Sequence, residues 1–256
     1  MEALFLELDQ VMGRARGMAL EPAFSDEVAR RMARVPTVPA TEAACLAAVA
    51  DVIAYSQAVP ADRVDAMITA GGLAHAFGDF EVDRVAALLP HLVLDAAWEH
   101  SLKAIGKKGK VAGIIGAAAA MQRLREDGTP FPQLFAEFPV RIRNDVDIRA
   151  FWRAFDRLHR RLRAADMPFV RAITSLLHLL LNFGFDCAKP DSVVRRVAED
   201  AGLLGERQGD AELRQLVEVI QRYSVARDIR PSVVDFHCLV AGNQRWARQF
   251  IQPSAR

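Results

Sequence analysis

The sequence predicts an all-α protein, a two-lobed helical bundle with a central cleft, on three observations. Apolar residues recur at three- and four-residue spacing in nine windows, alternating strand patterns are scarce, and Gly or Pro punctuates the chain between helical stretches. The windows begin with 42 to 57, which is Ala-rich, then 61 to 77 and 81 to 88. They continue with 110 to 125, again Ala-rich, and 147 to 165, rich in Leu and Arg. The last four are 174 to 183, 192 to 202, 210 to 226 and 231 to 249. Gly71-Gly72, Pro90, Gly128 to Pro132, Pro139, Pro168, Pro190 and Pro231 act as breakers. No repeat or low-complexity linker divides residues 1–256, so they are expected to form a single unit.

Composition fits a chain with a substantial core. The 256 residues are 52% hydrophobic, enough to bury a large interior. Glu7, Asp9, Arg14 and Arg16 interrupt any leader-like apolar run, and no run reaches membrane-spanning length. A soluble, cytoplasmic, monomeric protein without a membrane role is the expectation. Cys45, Cys187 and Cys238 are scattered, form no zinc pattern, and are too few for a four-cysteine iron–sulfur cluster. They are expected to be buried structural thiols, with no metal and no cofactor. Trp98, Trp152 and Trp246 are expected to pack.

The net charge of +1 excludes a general polycation, so any affinity for nucleic acid must be local. Two clusters qualify. Residues 141 to 163 carry eight arginines against three aspartates, and Lys103, Lys107, Lys108 and Lys110 surround a Gly-containing turn. Cations on one face would release counterions from duplex DNA. A solvated helix face is the competing reading of the arginine run.

The most informative stretch is 167 to 197, MPFVRAITSLLHLLLNFGFDCAKPDSVVRRV. It reads as turn, helix from Thr174 to Leu181, loop from Asn182 to Pro190, and a helix from Ser192 onward. Asp191 therefore stands at a helix start, where it can serve as a plain N-cap.

This stretch resembles the core of the helix-hairpin-helix base-excision DNA glycosylase superfamily, which includes endonuclease III and 3-methyladenine DNA glycosylase I. In that pattern a hairpin written LPGVGxxT opens a helix and a VDTHVxRV segment follows. Here MPFVRAIT and PDSVVRRV take those places, with Asp191 seventeen positions after Thr174, the spacing of the endonuclease III branch. VIAYSQAVPADRV (52 to 64) looks like the family's LSQQT-containing helix. Residues 105 to 138 are similar to the following Gly-Lys helix and loop, and 234 to 250 to the returning C-terminal helix. The similarity covers roughly 45 to 250. It implies a helix-hairpin-helix motif, with the N- and C-terminal helices in one lobe and about 60 to 190 in the other.

The resemblance assigns roles. Asp191 takes the place of the catalytic aspartate, which would stabilise an oxocarbenium-like sugar and orient the attacking water. The hairpin residues Pro168, Phe169, Val170, Arg171 and Thr174, with Lys107, Lys108 and Lys110, would contact DNA. Phe169 and Arg171 replace the family's two glycines. Phe169 would permit the turn with a negative φ, and Arg171 could replace backbone donation with a guanidinium–phosphate contact. Tyr55, Ser56 and Gln57 could line a base pocket with His237, and Asp235 could face the same cleft. Core or surface roles are equally open for the first three, and a structural role is the commoner one for a His on an apolar helix. On a gapless match to 3-methyladenine glycosylase I, Tyr55 falls where that enzyme has its pocket glutamate and Arg63 where it has a pocket tryptophan, so its substrate does not transfer. Its zinc site is missing too.

Ile173 stands where the bifunctional branch has its Schiff-base lysine, so the resemblance implies a monofunctional hydrolase without lyase activity. The partner would be double-stranded DNA with a damaged or modified base, flipped out of the stack. Three alternatives stay open: a noncatalytic DNA-binding relative, a glycosylase acting on hypermodified phage bases in defence, and a helical interaction protein with no DNA role.

Overall fold

The computed structural model describes residues 1–56, 59–204 and 209–253. Among them the chain is all-α, its sole β contact being an isolated bridge between Ala19 and Ile251. In order the helices are α1 (Glu2–Gly17), α2 (Ala23–Ala33), α3 (Glu42–Tyr55), α4 (Ala61–Thr69), α5 (Gly72–Ala76), α6 (Val82–Ala86) and α7 (Pro90–Ala97). They continue as α8 (Gly109–Glu126), α9 (Asp145–Ala164), α10 (Ile173–Asn182), α11 (Ser192–Asp200), α12 (Asp210–Ala226) and α13 (Pro231–Ala241). Among the described residues no helix is long and apolar enough to cross a membrane. Two compact units emerge: Met1–Pro36 with Pro139–Trp152 and Leu180–Arg256, and Thr37–Phe138 with Arg153–Leu179.

In the first unit α13 is the central rod. Pro231 starts it, its fixed φ suiting a first helical residue whose N–H has no intrahelical partner. Every residue from Pro231 to Cys238 is then buried, because α1, α2, α11 and α12 pack around the helix. Leu8, Val11 and Met12 of α1 meet Val194 and Val197 of α11, Leu216 and Ile220 of α12, and Val233 and Val234. Each such aliphatic side chain stabilises the fold by about 1.5–3 kcal/mol relative to exposure. A second cluster sets Phe24 and Phe236 at 5.2 Å and Phe236 edge-on to Phe250 at 5.1 Å. The two chain ends thus share one core.

A buried polar network lies beside that core. Arg230 donates from Nε to Asp186 Oδ1 (2.7 Å) and from Nη2 to the Gly184 carbonyl (2.8 Å). Asp186 also accepts the Ile142 N–H, and its carbonyl accepts Gln221, which in turn accepts the Trp152 indole N–H. The network ties the loop after α10 to α12 and to the segment leading into α13.

In the second unit α8 packs on α3, α6 and α7. Its small residues Gly113, Ala117 and Ala120 allow close approach, while Val111, Ile114 and Met121 fill the interior. Thr41 caps α3 by accepting the Ala44 N–H at 3.2 Å. Arg125 of α8 pairs with Glu42 and Asp83.

The sequence windows need four amendments. The window 61 to 77 breaks into α4 and α5 at Gly71, whose φ of 73° lies in the left-handed region. The window 231 to 249 ends at Ala241, and a separate 3-10 turn covers Trp246–Phe250. Helices α1 and α2 lie before the first window, although α1 buries Leu8, Val11, Met12 and Ala15 at helical spacing. Pro90, expected as a breaker, begins α7 instead.

Candidate functional site

Asp191 lies in the first unit, between a Pro-stiffened loop and α11. It caps that helix, its Oδ1 accepting the N–H groups of Val193 (3.0 Å) and Val194 (3.1 Å). Oδ2 stands 3.6 Å from the Lys189 ammonium, and the carboxylate side chain is 25% exposed. The Lys189 N–H donates to Asp235 Oδ1 at 2.8 Å, so α13 fixes the backbone that precedes Asp191. Asp235 is buried, and burial pushes its pKa up to about 6 against the opposing pull of Arg31 and the Lys189 N–H. Arg31 approaches Asp235 Oδ2 to 3.7 Å, donates to the Ser232 carbonyl, and lies 5.0 Å from the Phe236 ring centre. This is a rigid carboxylate with one oxygen held by the backbone.

His237 does not join a pocket. It is 1% exposed, its ring edge-on to Phe24 at 5.0 Å. Nδ1–H donates to the Val233 carbonyl at 2.8 Å, and Nε2 has no partner among the described residues. Burial holds its pKa down at about 4, so the ring is neutral. The base-pocket assignment of His237 is therefore corrected: its helix carries it into the core. The three cysteines are buried as expected, and burial raises every thiol pKa, Cys45 to about 12. Trp152 is also buried.

The hairpin belongs to the second unit. Phe169 makes the turn with φ 57° and not with a negative value, and the Val170 N–H donates back to the Pro168 carbonyl at 2.6 Å. That is a γ-turn with the strained positive φ that a glycine would accept without cost. The ring tolerates it by packing on α8, where a Cβ on Gly113 would fall 2.5 Å from Phe169 Cε2 and one on Gly116 3.4 Å from Pro168 Cγ. Val170 is buried, so neither its side chain nor its N–H is presented for DNA, which corrects its assignment as a contact. Arg171 is exposed but paired with Asp166 across the turn at 2.9 Å. Thr174 is half-buried in the first turn of α10.

Around the end of α3 the structure gathers Tyr55, Ser56 and Lys110. Tyr55 donates its hydroxyl to Asp65, and burial together with that carboxylate raises its pKa. Ser56 donates to the Ile53 carbonyl, and Gln57 lies outside the described residues. Lys110, expected on DNA, is 1% exposed and donates to the carbonyls of Ala54 (2.8 Å) and Ser56 (2.6 Å). It serves the unpaired carbonyls at a helix C-terminus, where a cation is favoured. Burial, then repulsion from Lys107, lowers its pKa to about 8. Lys107 and Lys108 remain exposed, with Lys108 5.7 Å from the Trp98 ring centre.

Among the described residues no three His, Cys, Asp or Glu side chains gather as a metal site. One depression, lined by Arg141, Arg143, Ser224 and Asp228, lies in the first unit, and another, beside α9, lies in the second. Neither includes Asp191 or Tyr55. Sequence reasoning missed the Lys189–Asp235 support for Asp191, because nothing in the spacing of residues 189 and 235 links them. Compared with protein-family models, curated proteins and solved structures, the chain finds no match in any of the three.

Proposed function

We propose that the chain is a monofunctional DNA glycosylase, which flips a damaged or modified base out of the duplex and hydrolyses its N-glycosidic bond to leave an abasic site. The observation that carries this reading is the fixed carboxylate of Asp191, with Oδ1 held by two backbone N–H groups and Oδ2, on a side chain 25% exposed, beside the Lys189 ammonium at 3.6 Å. As the base departs, its deoxyribose gains positive charge, and a preorganised carboxylate stabilises that charge without reorganising. The same oxygen orients the attacking water and accepts its proton. Flipping costs a few kcal/mol, least for a damaged or poorly paired base. Ile173 offers no amine for Schiff-base chemistry, hence hydrolysis without strand cleavage. Alkylated, deaminated, oxidised and hypermodified phage bases are all candidate substrates.

A noncatalytic DNA-binding relative is the second reading, favoured by the hairpin, whose Val170 N–H is already consumed within the turn. The test is incubation of the protein and Asp191→Asn with duplexes carrying each base class, abasic sites being read by alkali cleavage. Asn keeps the cap while removing the charge. Asp191-dependent abasic sites on one substrate support the glycosylase. No cleavage on any substrate, with DNA still bound, selects the noncatalytic relative.

A further inference from the structure

We propose that the outward face of α9 in the second unit, carrying Arg153, Arg157, Arg160 and Arg161, is a binding surface for the phosphate backbone of nucleic acid, separate from the hairpin. Between 153 and 163 every exposed residue is an arginine, while Ala154, Phe155, Leu158 and Leu162 face the interior. The four arginines fall at i, i+4, i+7 and i+8, within one face of the helix, on which Arg153, Arg157 and Arg161 rise in steps of about 6 Å with Arg160 beside them. That interval is comparable with the separation of successive phosphates along a strand.

The row is not an ordinary solvated face. Elsewhere the chain sets opposite charges at this spacing: Lys103 with Glu99 at 2.9 Å, Arg214 with Glu218 at 3.2 Å and Arg31 with Glu27 at 2.7 Å. On α9 Asp156 stands four residues before Arg160, but the i,i+4 neighbours Arg153 and Arg157, and Arg157 and Arg161, carry the same sign, an arrangement that disfavours the isolated helix. Glu137 pairs with Arg157, and between 153 and 163 the helix sets five arginines against a single acid, Asp156. Beside them lies a dent of about 160 Å³ bordered by Gln133 and Glu137, well below the size of a small-molecule pocket. Guanidinium forks suit phosphate oxygens. A membrane would call for exposed apolar side chains among the arginines, and this face has none.

The surface takes its nucleic-acid occupant from the function proposed above but does not depend on Asp191. The experiment is fluorescence anisotropy of a labelled mixed-sequence duplex from low to high KCl. It compares the protein with R153Q/R160Q/R161Q, with R153K/R160K/R161K, and with R14Q/R16Q as a charge control on α1. The Gln triple should reduce the slope of log K against log salt by about 0.9 for each phosphate it no longer neutralises, about two to three in all, and weaken binding at least about tenfold on every sequence. The Lys triple should keep the slope and the melting temperature, which separates a loss of charge on this face from a loss of folding. A Gln-triple slope equal to that of R14Q/R16Q overturns the surface, as does weakened binding to poly-glutamate with DNA binding unchanged. An unchanged slope with Asp191-dependent abasic sites sinks this face alone. A reduced slope with no abasic sites on any substrate sinks the glycosylase alone.

Discussion

Replacing Arg230 by Met would strip Asp186 of the cation that pairs with it while leaving the carboxylate inside the first unit. The pair is 2.7 Å apart with side chains 3% and 2% exposed, so solvent cannot screen the orphan. Asp186 would keep the Ile142 N–H at 2.8 Å, and the Gly184 carbonyl would lose its guanidinium donor. Removing one partner of a buried, hydrogen-bonded ion pair costs about 3–5 kcal/mol. That is a large share of the roughly 5–15 kcal/mol that holds a domain folded. At about 2–4 °C per kcal/mol for a chain of this size, the melting temperature should fall by about 6–20 °C. Thermal unfolding followed by circular dichroism reads the change. The double variant Asp186→Leu/Arg230→Met should recover much of the loss, because neither charge is then stranded. A drop below about 2 °C for Arg230→Met would refute the reasoning, since it would mean that water reaches the pair.

Four further outcomes follow from the same geometry. Gly113→Ala should destabilise by about 1–3 kcal/mol by thermal unfolding, because its Cβ meets the Phe169 ring at 2.5 Å, and should cost little in a Phe169→Gly background. Lys110→Met should cost about 1–3 kcal/mol by stranding the Ala54 and Ser56 carbonyls, yet leave the salt slope of DNA binding unchanged, unlike Lys107→Gln/Lys108→Gln. Native Asp235 holds its proton up to about pH 6 whereas the unfolded chain releases it near 3.8, so stability falls as pH rises through that window. Asp235→Asn should therefore gain up to roughly 3 kcal/mol at pH 7 relative to the parent in urea unfolding. His237 runs the other way, the unfolded ring taking a proton near 6.5 and the native one only near 4, so stability falls as pH drops. His237→Gln should flatten that acid limb, and an unchanged pH profile would contradict the buried neutral ring.

Much of the fold was legible because helical periodicity is local. The loop, read from the sequence as 182 to 190, and the helix after it were readable from Gly, Pro and a capping Asp, and α11 starts where the sequence places it. The candidate site was legible only in part. Asp191 follows from its position before an amphipathic run, and its cap bonds are local contacts two and three residues away. Lys110 misled for the opposite reason, since a lysine beside a basic turn reads as an available group, and for His237 the structural role, the commoner one for a His on an apolar helix, is the one the fold gives it. Their burial depends on the end of α3 and on Phe24, 56 and 213 residues distant in sequence.

The sequence by itself determined that this chain is helical, where most helices begin and end, and that an acid caps α11, because backbone hydrogen bonding, capping and the Pro and Gly constraints act over a few residues. Tertiary structure alone decided which side chains remain accessible. It placed Phe169 on Gly113, Lys110 under the carbonyls of α3, Asp235 behind Lys189, and left the arginines of α9 outside. Burial, and with it protonation and availability for chemistry, is set by neighbours that are remote in the chain.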